Sequence, residues 1–277
     1  MIATTDQQAE RLVDIQRQAA ENGVELDWRS SKAISEHLPE TLVKNALWSL
    51  DKGIVDSHQL MLALLKDVEC RGGHVVYNTR ATRITADNNS HCVHATDSTD
   101  DYRLYGPLVV NSAGLGAVTL AHQSEGLPSN QIPKLHYAKG SYFSYSARHP
   151  FKSLGYPLPE EGGLGVHLTL DMAGGARFGP NVEWVEKLDV SIEERFKEDF
   201  YNATCSWWPT IKKESLNPAY AEIRPKLKGS NEGFFDFRVL GPEDHGCVSM
   251  VHLFGIEPPN LTASLAIADT VAGKLQL

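Results

Sequence analysis

An α/β chain of two lobes, one of them discontinuous, is what this sequence predicts, and three stretches carry the prediction. The apolar run PLVVN (107–111) leads through a Gly-x-Gly turn into the helical pattern AVTLA (117–121). The closing stretch repeats that order. Residues 247–254 are apolar with β-branched and aromatic side chains, Gly255 and Pro258-Pro259 make a sharp turn, and a helix follows. Between the two, KLHYAKGSYFSYS (134–146) and GLGVHLTL (163–170) alternate with period two, as strands of a mixed sheet do. The order suggests one lobe from residues 53–122 and 245–277, and a mixed-sheet lobe from 1–52 and 123–244.

Taken in order, Thr5 with Gln8 forms a capping-box pattern, Leu12, Ile15 and Ala19 recur at helical spacing, and Asn22-Gly23 is a stop, so an amphipathic surface helix is expected. After Pro39, GIVDSHQLMLALLKDVECRGG (53–73) has Asp56 as a cap, an almost continuous apolar interior and a Gly72-Gly73 terminator, which predicts a helix buried on most sides. HVVYN (74–78), RITAD (83–87) and HCVHA (91–95) read as short strands. Ser191 with Glu194 predicts a helix cap, the helix running towards Cys205, and β-type segments resume at Tyr220. In the closing stretch Asn260 is expected to cap a tightly packed helix whose small residues, Thr262, Ala263, Ser264, Ala266 and Ala268, admit a backbone or a flat ligand.

Composition excludes several classes. The 277 residues are 42% hydrophobic, with mean hydropathy −0.29, ordinary for a soluble chain able to bury a sizeable core. A formal charge of −9 argues against nucleic acid or an anionic membrane as main partner, while leaving room for a local basic pocket. Cys70, Cys92, Cys205 and Cys247 form no C-x-x-C pair and sit in apolar contexts, which points to buried free thiols rather than disulfides or zinc. No run reaches the length of a membrane helix, and residues 1–12 resemble neither a secretion signal nor a transit peptide, so a cytoplasmic location is expected. His91 and His94 have an H-x-x-H spacing, but on a strand it points them to opposite faces, so no metal site is expected. Nor is there a G-x-S-x-G nucleophile motif.

Six blocks in order carry a resemblance: GIVDSHQLMLALL (53–65), VVNSAGLGA (109–117), KGSYF (139–143), GLGVHLTLDMAGGARFGP (163–180), IRPKL (223–227) and GIEPPNLTASLAIA (255–268). Together they resemble the FAD-dependent oxidoreductases of the D-amino-acid oxidase and glycine oxidase superfamily, most of all the L-2-hydroxyglutarate dehydrogenase group. The resemblance implies a glutathione-reductase-like flavoprotein fold, with 53–122 and 245–277 as the remnant of an FAD-binding lobe and the rest as the substrate lobe. It also implies FAD as cofactor and oxidation of a 2-hydroxy acid to the 2-oxo acid. That family opens with a βαβ unit bearing G-x-G-x-x-G for the cofactor pyrophosphate, a pattern this sequence lacks: after Gly114 and Gly116 the third glycine position is Thr119. FAD affinity is therefore expected to be weak or absent unless a separate N-terminal chain or segment supplies that unit. The alternative is a truncated member that folds without flavin and serves at most as a binding module. An independent NAD-binding protein built on AGLGA is disfavoured by the incomplete fingerprint.

By the same resemblance Ala113 and Gly114 face the adenosine diphosphate half of the cofactor, although a tight strand-to-helix turn needs glycine equally. Gly255, Ile256, Asn260, Leu261 and Thr262 face the flavin's pyrimidine edge. Arg224, held extended by Pro225, carries the planar fork that a substrate α-carboxylate requires; its alternative is a solvent-exposed arginine, and Glu222, where the family has glycine, is positioned to pair with it. His167 is the candidate acceptor of the hydroxyl proton, a hydrogen-bonded structural histidine being the other reading. Arg177 is a second carboxylate partner suited to a substrate with two, and Lys139 and Tyr142 are candidates to line the same pocket.

Overall fold

The computed structural model describes residues 1–86, 90–158, 165–229 and 235–277. Asp87, much of the connector between the two central strands and the start of GLGVHLTL lie outside them. In chain order the first elements are β1 (Ile2–Ala3), α1 (Asp6–Glu21), β2 (Asp27–Ser30), α2 (Ser31–Ile34) and β3 (Asn45–Trp48). Then come α3 (Ser57–Cys70), β4 (Arg80–Thr85), β5 (His91–Thr96), β6 (Asp101–Gly106), β7 (Val109–Asn111) and α4 (Ala117–His122). The middle holds β8 (His136–Tyr145), β9 (His167–Leu170), β10 (Ala176–Gly179), β11 (Glu183–Val185) and α5 (Phe196–Cys205). The chain closes with β12 (Leu216–Lys226), β13 (Arg238–Leu240), α6 (Pro242–His245), β14 (Met250–Phe254) and α7 (Ser264–Leu275). Two compact units result: one from Met1–Asp56, Lys139–Glu183 and Asp189–Glu222, the other from Ser57–Ala138, Trp184–Leu188 and Ile223–Leu277.

The first unit is built on a five-stranded sheet of order β11-β8-β10-β9, with β12 also paired to β8. Register places Phe178 opposite Phe143 and Leu168, so one sheet face is a row of fully buried apolar side chains. Phe200 of α5 and the buried pair Trp207 and Trp208 close over that row, with Tyr145 edge-on to Trp208 and its hydroxyl oxygen accepting the Lys212 N–H. A small sheet of order β1-β3-β2 completes the unit. The capping box forms as its sequence predicts: the Gln8 N–H donates to Thr5 Oγ1 and the Thr5 N–H to Gln8 Oε1. The buried Gln8 amide then donates to the Leu158 carbonyl, and Leu12 packs with Ala3, Leu47 and Leu158, fixing α1 to the unit.

The second unit holds the antiparallel sheet β4-β5-β6 and a second sheet of order β13-β14-β7, in which β14 runs parallel to β7 and pairs Val251 with Val110. Every residue of β14 is buried. Two small cores flank it, one around Phe254, Leu240 and Ala121, the other around Met250, Leu120 and Ile84. No helix among the described residues is long and apolar enough to cross a membrane.

Several sequence expectations need correction here. α3 buries none of its residues, and Met61 and Leu62 are exposed, whereas an apolar composition predicted burial on most sides. α7 likewise buries none, begins at Ser264 rather than after Asn260, and has no side-chain cap; the Asn260 amide donates instead to the Ile256 carbonyl. HVVYN forms no strand, and Val76 and Tyr77 are exposed. Strand β6 was not foreseen. Ser191 bonds Asp189, and α5 starts only at Phe196, so the expected cap belongs to a preceding turn. All four cysteines are free thiols, but Cys70 is exposed.

Candidate functional site

In the first unit the open face of the sheet gathers polar residues from four strands. Arg177 stands opposite both Ser144 and Thr169, and Gly179 opposite His167. Alternation along β8 puts Tyr142 on this same face, so Tyr142, His167 and Arg177 share it while Phe143, Leu168 and Phe178 point into the core. β12 adds Tyr220, stacked on Tyr142 with ring centres 4.5 Å apart, and Glu222, whose Oε1 accepts the Tyr142 hydroxyl at 3.4 Å. The Arg177 guanidinium lies 5.9 Å from the centre of the Tyr220 ring and donates to Asp171 at 3.2 Å. Asp171 is fixed in turn by the Ala173 and Gly175 N–H groups in the β9–β10 hairpin.

Gly179 is what allows the Tyr142 ring to lie flat on this face. Its φ is +144°, and a Cβ there would come 2.8 Å from both the Ser141 carbonyl and Tyr142 Cδ1. Asn181, just beyond, is buried and accepts the Ser141 N–H at 2.8 Å, tying β10's end to β8. His167 meets the Tyr156 ring edge-on at 4.5 Å, and burial pushes the Tyr156 hydroxyl up from its ordinary value.

Lys139 does not join this group. Three residues before Tyr142 on β8, it faces the other way, is buried, and acts electrostatically on Asp189 and Glu193. Arg224 follows Glu222 by two on the same side of β12, half-buried, and belongs to the second unit. Tyr220 and Asp171 were missed in the sequence. The alternation Tyr220-x-Glu222-x-Arg224 is the signal that marks the first; Asp171 is signalled only by the Gly174-Gly175 hairpin it braces.

The second unit places the residues expected at the cofactor around the end of β7. The buried Asn111 amide donates to the Ala117 carbonyl at 2.9 Å, and its oxygen accepts the Ala113 N–H, binding the strand end to α4. Ala113 lines a cleft of about 1060 Å³ together with Arg80, Arg83, Thr119 and His122. Gly114, Ile256, Asn260 and Leu261 line a separate cavity of about 610 Å³ with Val110 and Ile267. Gly114 has φ +56° with open space where a Cβ would stand, so a flat or phosphate-bearing group can approach this backbone. The strand end therefore fits the adenosine diphosphate half of FAD. Arg80 is the charge available to a phosphate there, since Arg83 pairs with Glu125 at 2.6 Å. The Gly255 turn is different: with φ +67°, its missing Cβ is replaced by Leu227 at 2.5 Å, so this glycine serves internal packing. Glu257, also buried, pairs with Lys226 at 2.7 Å and holds the turn, and Thr262 bonds the Pro259 carbonyl.

Beneath β7, His252 is fully buried; its Nδ1 receives the Asn111 amide at 3.2 Å, which leaves the proton on Nε2, facing Met250 Sδ at 3.2 Å. Burial, with His245 nearby, lowers its pKa to about 4. Among the described residues no cluster of histidine, cysteine or carboxylate side chains could hold a metal ion.

Comparison with known proteins bears on family and fold. A 38% identical relative is the mitochondrial L-2-hydroxyglutarate dehydrogenase of Arabidopsis thaliana, over 85% of this chain and 57% of the relative; L-2-hydroxyglutarate dehydrogenase of Escherichia coli K12 is 26% identical over 70% and 47%. The chain thus spans about half the length of the curated relatives it matches. Among solved structures, L-alpha-glycerophosphate oxidase of Mycoplasma pneumoniae with FAD bound superposes with TM-score 0.79 at 18% identity, over the whole chain and 72% of the oxidase. Glycine oxidase of Geobacillus kaustophilus gives 0.74 at 17%, over 98% and 69%. These two share the fold. The FAD dependent oxidoreductase family matches residues 1–273, and the chain belongs to that family.

Proposed function

We propose that the chain is the substrate-bearing portion of an FAD-dependent dehydrogenase that oxidises a 2-hydroxy acid of the L-2-hydroxyglutarate kind to the 2-oxo acid. What supports this reading most is the open sheet face of the first unit, where Tyr142, His167 and Arg177 stand together, joined by Tyr220 and Glu222. The name of the 38% identical relative supplies the substrate class. FAD, were it bound, would supply the hydride acceptor. His167 accepts the hydroxyl proton, as a histidine side chain can. Arg224 has the two-pronged guanidinium suited to an α-carboxylate, and Arg177, on the open sheet face, is the other candidate carboxylate partner. The residues assigned to the cofactor are Ala113 and Gly114 at the end of β7, with Ile256, Asn260 and Leu261 along the closing turn.

A second reading, that the chain folds without holding flavin, is favoured by α3 and α7, apolar helices that bury no residue. The two readings part in one experiment. The chain is purified alone and also as a chimera carrying the part of the Arabidopsis relative outside the match, and each is titrated with FAD. The chain alone is expected to bind weakly or not at all. The chimera is expected to hold flavin, and anaerobic L-2-hydroxyglutarate should bleach the visible flavin band, slowly in His167→Gln. Flavin held by the chimera and untouched by any 2-hydroxy acid would leave the dehydrogenase reading without support.

A further inference from the structure

The first unit contains a cavity beside the open sheet face, sharing Tyr156 and Asp171 with it. It measures about 670 Å³, within the range of sites that enclose small molecules. Its floor is apolar and buried, formed by Ile34, Leu38, Ala46 and Leu47, and Trp48 and Leu170 form its walls. Charge is confined to a few groups. Lys52 and Lys152 stand exposed among its lining, Lys52 with its Nζ 4.9 Å from the centre of the Tyr156 ring. The amino group of Met1 donates to the Leu47 carbonyl. Among the described residues the one carboxylate in the lining, Asp171, is already taken by Arg177 and by two backbone N–H groups. Ser153 bonds His37, which itself packs on Trp48.

An apolar floor with cations and, among the described residues, no unengaged carboxylate selects a ligand with a hydrocarbon body and one anionic head. We infer that this cavity binds a medium-chain acyl carboxylate, the chain lying on Leu38 and Leu47 and the carboxylate meeting Lys52 and Lys152. The site is distinct in chemistry from the open sheet face, yet the two are adjacent through Tyr156, which lines the cavity and touches His167 edge-on. Binding here requires no flavin and does not depend on the proposed dehydrogenase activity.

The test compares three amphiphiles of one length, decanoate, decanol and decylammonium, below their micelle concentrations, by calorimetry and by quenching of tryptophan fluorescence, to which Trp48 contributes. Decanoate should bind saturably with one site per chain, and the other two at least tenfold more weakly. Lys52→Gln and Lys152→Gln, both at exposed positions and checked for an unchanged thermal transition, should each weaken decanoate by about threefold to fivefold and leave decanol unchanged. Equal affinity for decanol and decanoate overturns the inference, as does the absence of saturable binding. Decanoate binding that survives both substitutions together removes it from this cavity.

Discussion

The two units differ in how completely each accounts for its own apolar residues. In the first, an aromatic row is closed on both sides: Phe143, Phe178, Phe200, Trp207 and Trp208 are all at most 2% exposed. In the second, β14 is fully buried, yet α3 and α7 bury nothing, Val110 on the edge strand β7 is 40% exposed, and the cores are small. Parallel strands usually sit in sheets covered on both faces. The difference teaches that apolar composition reports an element's need for burial, and only the rest of the fold decides whether the need is met.

The largest effect that tests this contrast is in the core of the first unit. Trp208→Ala should cost about 3 to 5 kcal/mol, since it removes a buried indole packed on Tyr145, Phe151 and Phe178. Leu62→Ser on α3 should shift the urea midpoint by an amount equivalent to under about 0.5 kcal/mol. Equal losses from the two would erase the distinction between the units.

Next in size is a pH effect confined to the second unit. His252 has a folded pKa of about 4 against an ordinary 6.5, so the unfolded chain binds its proton first as pH falls. Stability should be full above pH 6.5 and decline towards pH 4, by about 3 kcal/mol if His252 acts alone. Protonation would also set a second N–H against the Asn111 amide. His252→Asn should flatten that slope in denaturation curves taken across the window; an unchanged slope would assign it to other groups, His245 first, whose pKa burial also lowers.

A smaller effect is expected at Gly179→Ala, about 1 to 3 kcal/mol, because its Cβ would press on the Ser141 carbonyl and displace the Tyr142 ring. Near-ultraviolet circular dichroism should register the loss of the Tyr142–Tyr220 stack. A variant with parent stability and an unchanged spectrum would show that Tyr142 does not depend on that gap.

Where local chemistry alone decides an element, the sequence was legible. The Thr5–Gln8 capping box, the Gly72-Gly73 stop and the positive φ at Gly255 all follow from residues within a few positions. The period-two pattern around His167 correctly separated its face from that of Val166 and Leu168, which are buried. The same rule, applied across three residues of β8, would have separated Lys139 from Tyr142. What could not be read were the partners of elements. HVVYN has every local mark of a strand yet forms none, and the turn before α7 is held by Lys226 and Glu257, a contact between residues far apart in sequence. Asn260 looked like a cap because caps are recognised by their neighbours, whereas the chain spends three more residues in turns before α7 begins.

In the proposed reading Arg224 is assigned the substrate carboxylate and His167 the hydroxyl proton. The most direct test of this assignment is the specificity constant for L-2-hydroxyglutarate in the flavin-loaded chimera, measured for Arg224→Lys against Arg177→Lys with flavin content monitored in both. The account predicts a loss on the order of a hundredfold for Arg224→Lys, corresponding to roughly 2 to 3 kcal/mol, a lesser loss for Arg177→Lys, and unchanged flavin content. Parent-like turnover in Arg224→Lys with turnover lost in Arg177→Lys would contradict it and move the carboxylate site to the strand that carries Arg177.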